Sequence, residues 1–206
     1  MDTLVRSIGE AGCAQGAFAE TGARVEIATV RDADPADATG VAAIGFAAVP
    51  ETYRDIVDPA VLRNIVEQSY SIDALRTCIS RCRDAGDAHF IVAAKDDRVV
   101  GFLHYDCEGS APELHRIYIE PVLKRTGIGG ALVCELHRRL APGATYILMV
   151  IAANLPAVTF YQRHGFIEQA KVDGPTYMSE HMGVSFPAGT RPAPALVLRF
   201  TKPSSG

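Results

Sequence analysis

The segment "LHRIYIEPVLKRTGIGGALVCELH", from Leu114 to His137, changes its periodicity halfway along. Its first half, up to Pro121, alternates between apolar and polar residues, which is typical of a β-strand. Its second half opens with a glycine-rich turn and then repeats apolar residues every four positions, which is typical of an amphipathic helix. The sequence therefore predicts a strand that leads through a turn into a helix N-terminus.

Such a turn is suited to binding an anion. The first amides of a helix have no partner within it, and they lie at the positive end of its dipole. Gly127, Gly129 and Gly130 would leave these amides accessible, while Lys124 and Arg125 add positive charge. The same glycines would equally suit a turn that only lets strand and helix pack closely, so the turn by itself leaves both interpretations open.

Two common phosphate-binding folds do not fit this turn. A P-loop is excluded because no Lys-Ser or Lys-Thr pair follows Gly130. A dinucleotide fold is disfavoured because Leu132 fills the last place of its glycine pattern, and no acidic residue ends the next strand. A mononucleotide-phosphate enzyme is disfavoured because an acidic metal ligand is missing at the expected strand end. Phosphate binding is therefore expected in another fold.

The composition limits the class of protein. A chain of 206 residues suits one domain with its own core, and a formal net charge of −4 argues against a broad cationic surface for nucleic acid or anionic lipid. The five cysteines form no repeated C-x-x-C pattern. Cys78 and Cys82 lie one helical turn apart and share a face, but two thiolates without further ligands make a poor metal site. We expect reduced thiols and no bound metal.

The N-terminal part of the chain is weakly patterned. Residues 1–22 are small and rich in glycine and alanine, so we expect an extension of uncertain order, followed by a single domain over residues 23–206. The start lacks the apolar core of a signal peptide, and no stretch of about 18 apolar residues exists for a membrane span. A cytoplasmic location is the expectation.

Strand and helix signals alternate along the rest of the chain. The predicted elements, in order, are a strand at 23–31, a helix at 32–49, helices over 50–86 that restart at Ser71, a hairpin turning at Asp96-Asp97, a strand at 112–120, a helix from Ile128, a strand at 145–152, a helix capped by Asn154, and strands at 166–172 and 195–201. The Pro/Gly-rich stretch 173–194 is predicted to be a loop that lines a site.

Two motifs in this order resemble the GNAT superfamily of N-acetyltransferases. "KRTGIGGALV" resembles its acyl-coenzyme A motif, Gln/Arg-x-x-Gly-x-Gly/Ala, with Lys124 where Gln or Arg is usual. "NLPAVTFYQRHGF" resembles its N-x-x-A-x-x-x-Y-x-x-x-G-F motif, with matches at Asn154, Ala157, Tyr161, Gly165 and Phe166. The resemblance covers roughly residues 23–201. It implies an α/β (α+β) fold with a mixed, mostly antiparallel sheet of about six or seven strands, flanked by helices, in which the fourth and fifth strands splay apart.

The resemblance also implies where acetyl-CoA would bind as co-substrate. The N–H of Ile117 would meet the thioester carbonyl, Tyr118 and Ile119 would flank the pantetheine arm, and the amides of 125–130 would take the pyrophosphate. Asn154 could contact pantetheine, cap its helix, or do both, and Phe160 also suits a core aromatic. The predicted cofactor-binding residues are Ile117, Tyr118, Ile119, Lys124, Arg125, Thr126, Gly127, Ile128, Gly129, Gly130, Asn154, Ala157 and Phe160.

Catalysis would require a base, because a typical alkylamine is protonated at neutral pH. The resemblance favours Glu113, with His115 as partner or substitute, since both share a face of the predicted strand at a spacing of two. The alternative is a solvated carboxylate and a polar core histidine. The resemblance makes Tyr161 the acid for the leaving thiolate, and the alternative is a core aromatic on an amphipathic helix. We expect direct transfer, because no cysteine is placed to form an acyl-enzyme.

The acceptor is less well defined by the sequence. The resemblance places Tyr53, Tyr177, Glu180 and His181 near it, although each would also suit a surface or loop position. We expect a small-molecule amine, no nucleic acid or membrane partner, and a possible homodimer through the C-terminal strand. Two alternatives stay open: acetylation of a protein N-terminus or lysine, and a non-catalytic domain that binds acyl-CoA and signals to a partner.

Overall fold

The computed structural model describes residues 28–107, 111–186 and 188–204. Within these residues, seven strands form one sheet and six α-helices cover it. The strands are β1 (Thr29–Asp32), β2 (His89–Lys95), β3 (Arg98–Asp106), β4 (Glu113–Ile119), β5 (Thr145–Ile151), β6 (Ile167–Asp173) and β7 (Pro194–Thr201). The helices are α1 (Ala38–Tyr53), α2 (Pro59–Ser69), α3 (Ile72–Asp84), α4 (Ile128–Arg139), α5 (Leu155–Arg163) and α6 (Gly174–Met182). In these described segments, no helix has the length and apolar character needed to cross a membrane.

The sheet is mixed, as predicted. Its strand order is β1-β2-β3-β4-β5-β7-β6, and every neighbouring pair is antiparallel except β4 and β5. These two central strands are parallel because a helical crossover, α4, joins them. The predicted fold class is confirmed.

Alternation along the inner strands gives the sheet two apolar faces. On β2, Phe90 and Val92 pack into the core beneath α1–α3, whereas Ile91 and Ala93 pack into the core beneath α4 and α5. A strand buried on both faces has to be apolar throughout, which agrees with the continuous apolar runs of the sequence. The sheet thus has one apolar core on each of its faces.

Local signals set most of the element boundaries. Asp96 and Asp97 have φ angles of 51° and 58°, as a tight two-residue hairpin turn requires, so the predicted hairpin is confirmed. Ser71 caps α3 by accepting from the amide of Ala74, and Asn154 caps α5 by accepting from the amide of Ala157. Both predicted caps are therefore present.

Three boundaries differ from the prediction. The first strand starts at Thr29, and residues 23–27 of the predicted strand, like the predicted extension 1–22, lie outside the described residues. Helix α1 continues through Pro50 to Tyr53, since burial of the adjacent turn offsets the hydrogen bond that proline cannot make. The stretch 173–194 is not all loop.

Helix α6 occupies the first half of that predicted loop. Asp173 caps it, because its carboxylate accepts from the amide of Thr176 at 3.2 Å and from its hydroxyl at 2.6 Å. Pro175 lies in the first turn, where a missing N–H costs nothing, and Gly183 ends the helix at a φ of 64°. The Pro/Gly content that suggested a loop thus marks the two ends of a short helix.

Candidate active site

A β-bulge shapes strand β4 near its N-terminal end. Asp106 of β3 pairs with Glu113 and His104 pairs with Arg116, so the β4 segment between them holds one residue more than β3 does. The extra residue is His115. Directly paired residues share a face, which places Glu113 and Arg116 on the same side of the sheet although they are three positions apart.

The bulge modifies the simple alternation from which Glu113 and His115 were predicted to share a face. Both side chains nevertheless line one cavity, together with Arg116 and Tyr118. Tyr118 pairs with Phe102 and so lies on the same face as Glu113. Strand β4 therefore presents its polar side chains to the side of the sheet covered by α1–α3.

A gap opens between β4 and β5 beyond the bulge. In the part of the chain that the structure describes, these strands pair at a single register, Glu113 with Ile147. The amide of Glu120 donates to the carbonyl of Val100 on β3 at 2.9 Å. Because amide direction alternates along a strand, the N–H of Ile117 points the other way, toward β5 and into the gap.

The cavity beside this gap has a volume of about 740 Å³. It lies between helices α1 and α2, strands β4 and β5, and the segment that follows α6. Its walls are largely apolar, with contributions from Val49, Ile56, Leu62, Met149, Ile151 and Phe186. A volume in the range of roughly 300–1,000 Å³ is usual for small-molecule sites.

Glu113 is the buried carboxylate of this cavity, and 5% of the residue is exposed. The hydroxyl of Tyr177 on α6 donates to its Oε2 at 3.1 Å. Burial raises the pKa of Glu113, while nearby His115 and the hydrogen bond from Tyr177 pull that pKa partly back. Two residues nominated separately from the sequence are thus in direct contact.

His115 contacts a carboxylate that the sequence analysis did not single out. Its Nε2 lies 2.9 Å from Oδ1 of Asp106, which is 5% exposed. A proton on Nε2 would be donated to Asp106, and Nδ1 would then be the nitrogen that can accept a proton. Only the pairing of β3 with β4 brings these residues together, so no local sequence signal announced the contact.

A group of tyrosines closes the other side of the gap. The phenol of Tyr53, at the end of α1, forms hydrogen bonds with the side chains of Tyr118 and Asn154. Tyr161 on α5 lies close to Tyr53, and burial raises the pKa of Tyr161 well above its ordinary value. Its hydroxyl is therefore protonated at neutral pH and is a weaker acid than the phenol of an exposed tyrosine.

The glycine-rich turn has the backbone geometry of an anion site. Arg125 and Gly127 have φ angles of 67° and 92°, and the left-handed conformation at Gly127 is one that glycine adopts without strain. Helix α4 starts at Ile128, and Gly127 offers no side chain to cap it. The first amides of α4 are therefore left for a ligand or water.

Helix α5 packs against this turn. A Cβ at Gly129 would lie 3.3 Å from the ring of Phe160, and a Cβ at Gly130 would lie 3.3 Å from the imidazole of His164. Phe160 and His164 have ring centroids 4.3 Å apart. The glycines thus serve close packing as well as access to the backbone, so the two interpretations of the turn are compatible.

Three further predicted residues have partners within the protein. Lys124 forms an ion pair with Glu51 at 2.9 Å, and the hydroxyl of Thr126 donates to the carbonyl of Leu123. His181 is exposed and stacks on Tyr177 with ring centroids 4.2 Å apart. Because Tyr177 donates to Glu113, His181 is linked to Glu113 through Tyr177.

Arg116 was missed by the sequence analysis. Its guanidinium donates to the carbonyl of Ser69 and lies over the ring of Tyr70, 5.3 Å from its centroid. It brings a cation to the cavity wall opposite the apolar residues. Its position follows from the bulge, which the strand pattern does not reveal.

Comparison with known proteins agrees with this geometry. Residues 86–168 match the family profile described as acetyltransferase (GNAT) domain, a span that includes β4, the glycine-rich turn and α5. This part of the chain is similar to a GNAT acetyltransferase domain.

Individual GNAT relatives are distant in sequence. Spermidine N(1)-acetyltransferase of Thermoplasma acidophilum is 25% identical over 131 residues, which are 63% of this chain and 81% of that protein. The crystal structure of PaiA N-acetyltransferase from Thermoplasma acidophilum with coenzyme A superposes with a TM-score of 0.64, at 18% identity, over 84% of this chain and 98% of that one. A GNAT phosphinothricin acetyltransferase from Sinorhizobium meliloti with AcCoA gives 0.63, at 20% identity, over 86% and 89%. These structures support the GNAT fold.

Proposed function

We propose that this protein transfers an acetyl group from acetyl-CoA directly to the primary amine of a small molecule. The carrying observation is that the β4–β5 gap has a backbone anion site at one end and a cavity with a buried carboxylate at the other. A donor that spans the gap would bring its thioester to the point where both meet. Acetyl-CoA would be a substrate, consumed once in each turnover.

The donor would be held mainly by backbone groups. The amides of residues 125–130 would bind the pyrophosphate, and the pantetheine arm would lie along Tyr118, Ile119 and Asn154. The N–H of Ile117, which points into the gap, would stabilise the charge that develops on the thioester oxygen. This assignment rests on the alternation of amides along β4.

Proton transfer would then involve side chains on the two sides of the gap. The amine nitrogen attacks the thioester carbon, and its proton passes to Glu113, directly or through water, with His115 as partner. The carbon–sulfur bond breaks and the thiolate takes a proton from Tyr161. A carboxylate whose pKa is raised toward neutrality is a better base for this step than an ordinary one.

The cavity supports a small acceptor over a protein segment. A volume of about 740 Å³ suits a molecule of metabolite or drug size. Its charged lining residues are Asp58, Glu113, Arg116 and Arg191, together with the titratable His115. Two arginines beside two carboxylates do not favour a polycation, so we propose a mainly apolar amine as acceptor in preference to a polyamine.

Cytoplasmic location and dimerisation stay predictions.

The test combines binding and turnover in one sample. Calorimetry should show that acetyl-CoA binds, and thiol release should then depend on added amine, with aromatic or branched alkylamines faster than spermidine or an N-terminal peptide. Binding without turnover against any amine would support the non-catalytic alternative. Absence of acetyl-CoA binding would refute the proposal.

A further inference from the structure

A second cluster of reactive side chains lies beside the active site, between α3 and β3. Cys78 and Cys82 project from one face of α3, and His104 projects toward them from β3. The two sulfur atoms and one imidazole nitrogen all lie within 4.8 Å of one another. His104 is 4% exposed and Cys82 is 7% exposed, whereas Cys78 is half-buried.

The separation of Cys78 Sγ from His104 Nε2 matches an edge of a tetrahedral zinc site. Zinc lies about 2.3 Å from sulfur and about 2.0–2.1 Å from nitrogen, which sets the separation between the two ligand atoms at roughly 3.5 Å. The distance from Cys78 Sγ to His104 Nε2 is 3.4 Å. Oδ2 of Asp106 also lies 3.3 Å from His104 Nε2, but Asp106 is not among the side chains whose ligand atoms all lie within 4.8 Å of one another.

Hydrogen bonding alone accounts poorly for this convergence. His104 Nε2 can carry one proton, yet it faces both the sulfur of Cys78 and the carboxylate of Asp106, with a second sulfur close by. Its other ring nitrogen, Nδ1, is buried without a hydrogen-bond partner among the described residues. The ring orientation is therefore set by what Nε2 approaches.

We propose that Cys78, Cys82 and His104 bind a zinc ion. Two thiolates and an imidazole suit zinc, whereas magnesium and calcium prefer oxygen ligands. Three protein ligands leave one of the four coordination positions for water or another small ligand. The sequence predicted no metal because the two thiols lie one turn apart on a helix, while the third ligand comes from a distant strand.

Such an ion would join two elements beside the active site. It would fix α3 to β3, and β3 also carries Asp106, whose Oδ1 lies 2.9 Å from Nε2 of His115 on β4. The proposal does not depend on the acyl acceptor, and its test needs no turnover.

The first experiment uses the wild-type chain without an affinity tag. Elemental mass spectrometry after dialysis should find one zinc ion per chain, and Co²⁺ replacing it should give the absorption bands of tetrahedral cobalt bound to thiolate. Alkylation of native protein should spare Cys78 and Cys82 when zinc is present, whereas Cys107 and Cys134 should react equally with and without zinc. The proposal is wrong if zinc is not retained and alkylation is unchanged.

Variants then assign the ligands. Cys78→Ser and His104→Ala should each weaken Co²⁺ binding by more than the roughly 10–100-fold that loss of an outer-shell partner costs, and Cys134→Ser should leave it unchanged. Equal binding in all three variants would show a site elsewhere and overturn the assignment. Preference for Cu⁺, or a Cys78–Cys82 disulfide in freshly purified protein, would also overturn it. Because alkylation is read on the wild type, the proposal stays testable if a variant does not fold.

Discussion

The proposed donor end and the proposed acceptor end of the gap are built in different ways. At the proposed donor end, the candidate anion site comes from consecutive residues, Lys124 to Gly130, and would rely on backbone amides. At the acceptor end, the cavity draws on α1, α2, β4, β5 and the segment after α6, and relies on side chains. Changes in side chains should therefore alter turnover and acceptor choice, while changes in backbone conformation should alter donor affinity.

Glu113→Gln should give the largest effect, a loss of turnover without a loss of donor affinity. Loss of a general base lowers kcat by about 10²–10⁴-fold, while the affinity for acetyl-CoA should change less than about twofold. The wild type should lose activity as the pH falls through the raised pKa of Glu113, because the protonated acid cannot accept a proton. Steady-state thiol release across pH measures the fall in kcat and the pH dependence of the wild type, and calorimetry measures the affinity for acetyl-CoA.

Glu120→Gln is the matched control for this change. Glu120 follows the same strand but forms an ion pair with Arg98 at 2.7 Å on the surface side, so kcat should stay within about twofold of wild type. If Glu113→Gln retains wild-type kcat, the carboxylate is not the base and His115 becomes the candidate.

Tyr161→Phe should have the next largest effect, a fall in kcat of about 10²-fold. The loss should be near the lower end for acid catalysis, because a thiol pKa of about 8.5 already makes the thiolate a good leaving group. KM for acetyl-CoA should be unchanged. Tyr146→Phe, which removes a buried hydroxyl 2.8 Å from His137 in the core beneath α4 and α5, should lower stability by about 1 kcal/mol and leave kcat intact. Equal kcat in both variants would remove Tyr161 from the mechanism.

Gly127→Ala should weaken the binding of acetyl-CoA and leave turnover at saturation nearly unchanged. A side chain at a φ of 92° costs about 1–2 kcal/mol in backbone strain, so the turn should relax and KM for acetyl-CoA should rise roughly tenfold, with kcat at saturation nearly unchanged. Gly183→Ala introduces an alanine at a φ of 64° far from the anion site and controls for strain alone. A similar rise in KM there would show that the effect is not local.

The same division explains how much the sequence could predict. The turn, the start of α4 and the cap at Asn154 were all predicted, because each depends on a few neighbouring residues. The bulge at His115 was not predicted, since it is defined only by the register of β4 against β3. The contact of Asp106 with His115 depends on the same pairing.

Helix α6 shows a second kind of limit. Its Pro and Gly residues are loop signals by composition, and only their positions relative to Asp173 make them helix ends. Tyr177 was nevertheless nominated near the acceptor, but its hydrogen bond to Glu113 depends on α6 packing over the sheet. Sequence reasoning was thus strongest where function lies in the local backbone and weakest where it depends on tertiary packing.

Tyr177→Phe should have a smaller effect, a shift in the pH dependence of kcat. Its hydroxyl stabilises the charged form of Glu113, so its removal should raise the pKa of Glu113 further. The acidic limb of the pH–kcat profile should move up by about one pH unit, which is within the worth of a hydrogen bond to a charged group, and kcat at high pH should recover. In the Glu113→Gln background the same change should shift nothing. An unshifted limb in Tyr177→Phe would mean that another group sets the pH dependence.

Lys124→Gln should have the smallest effect. Lys124 lies at the motif position usually held by Gln or Arg, but its side chain is 40% exposed and paired with Glu51 at 2.9 Å. Exposed ion pairs contribute about 0–1 kcal/mol, so KM for acetyl-CoA should rise less than about threefold, and the rise should shrink further in high salt. If this variant weakened donor binding more than Gly127→Ala does, charge on side chains would dominate over backbone amides. The two ends of the gap would then be built in the same way, and the contrast drawn between them would fail.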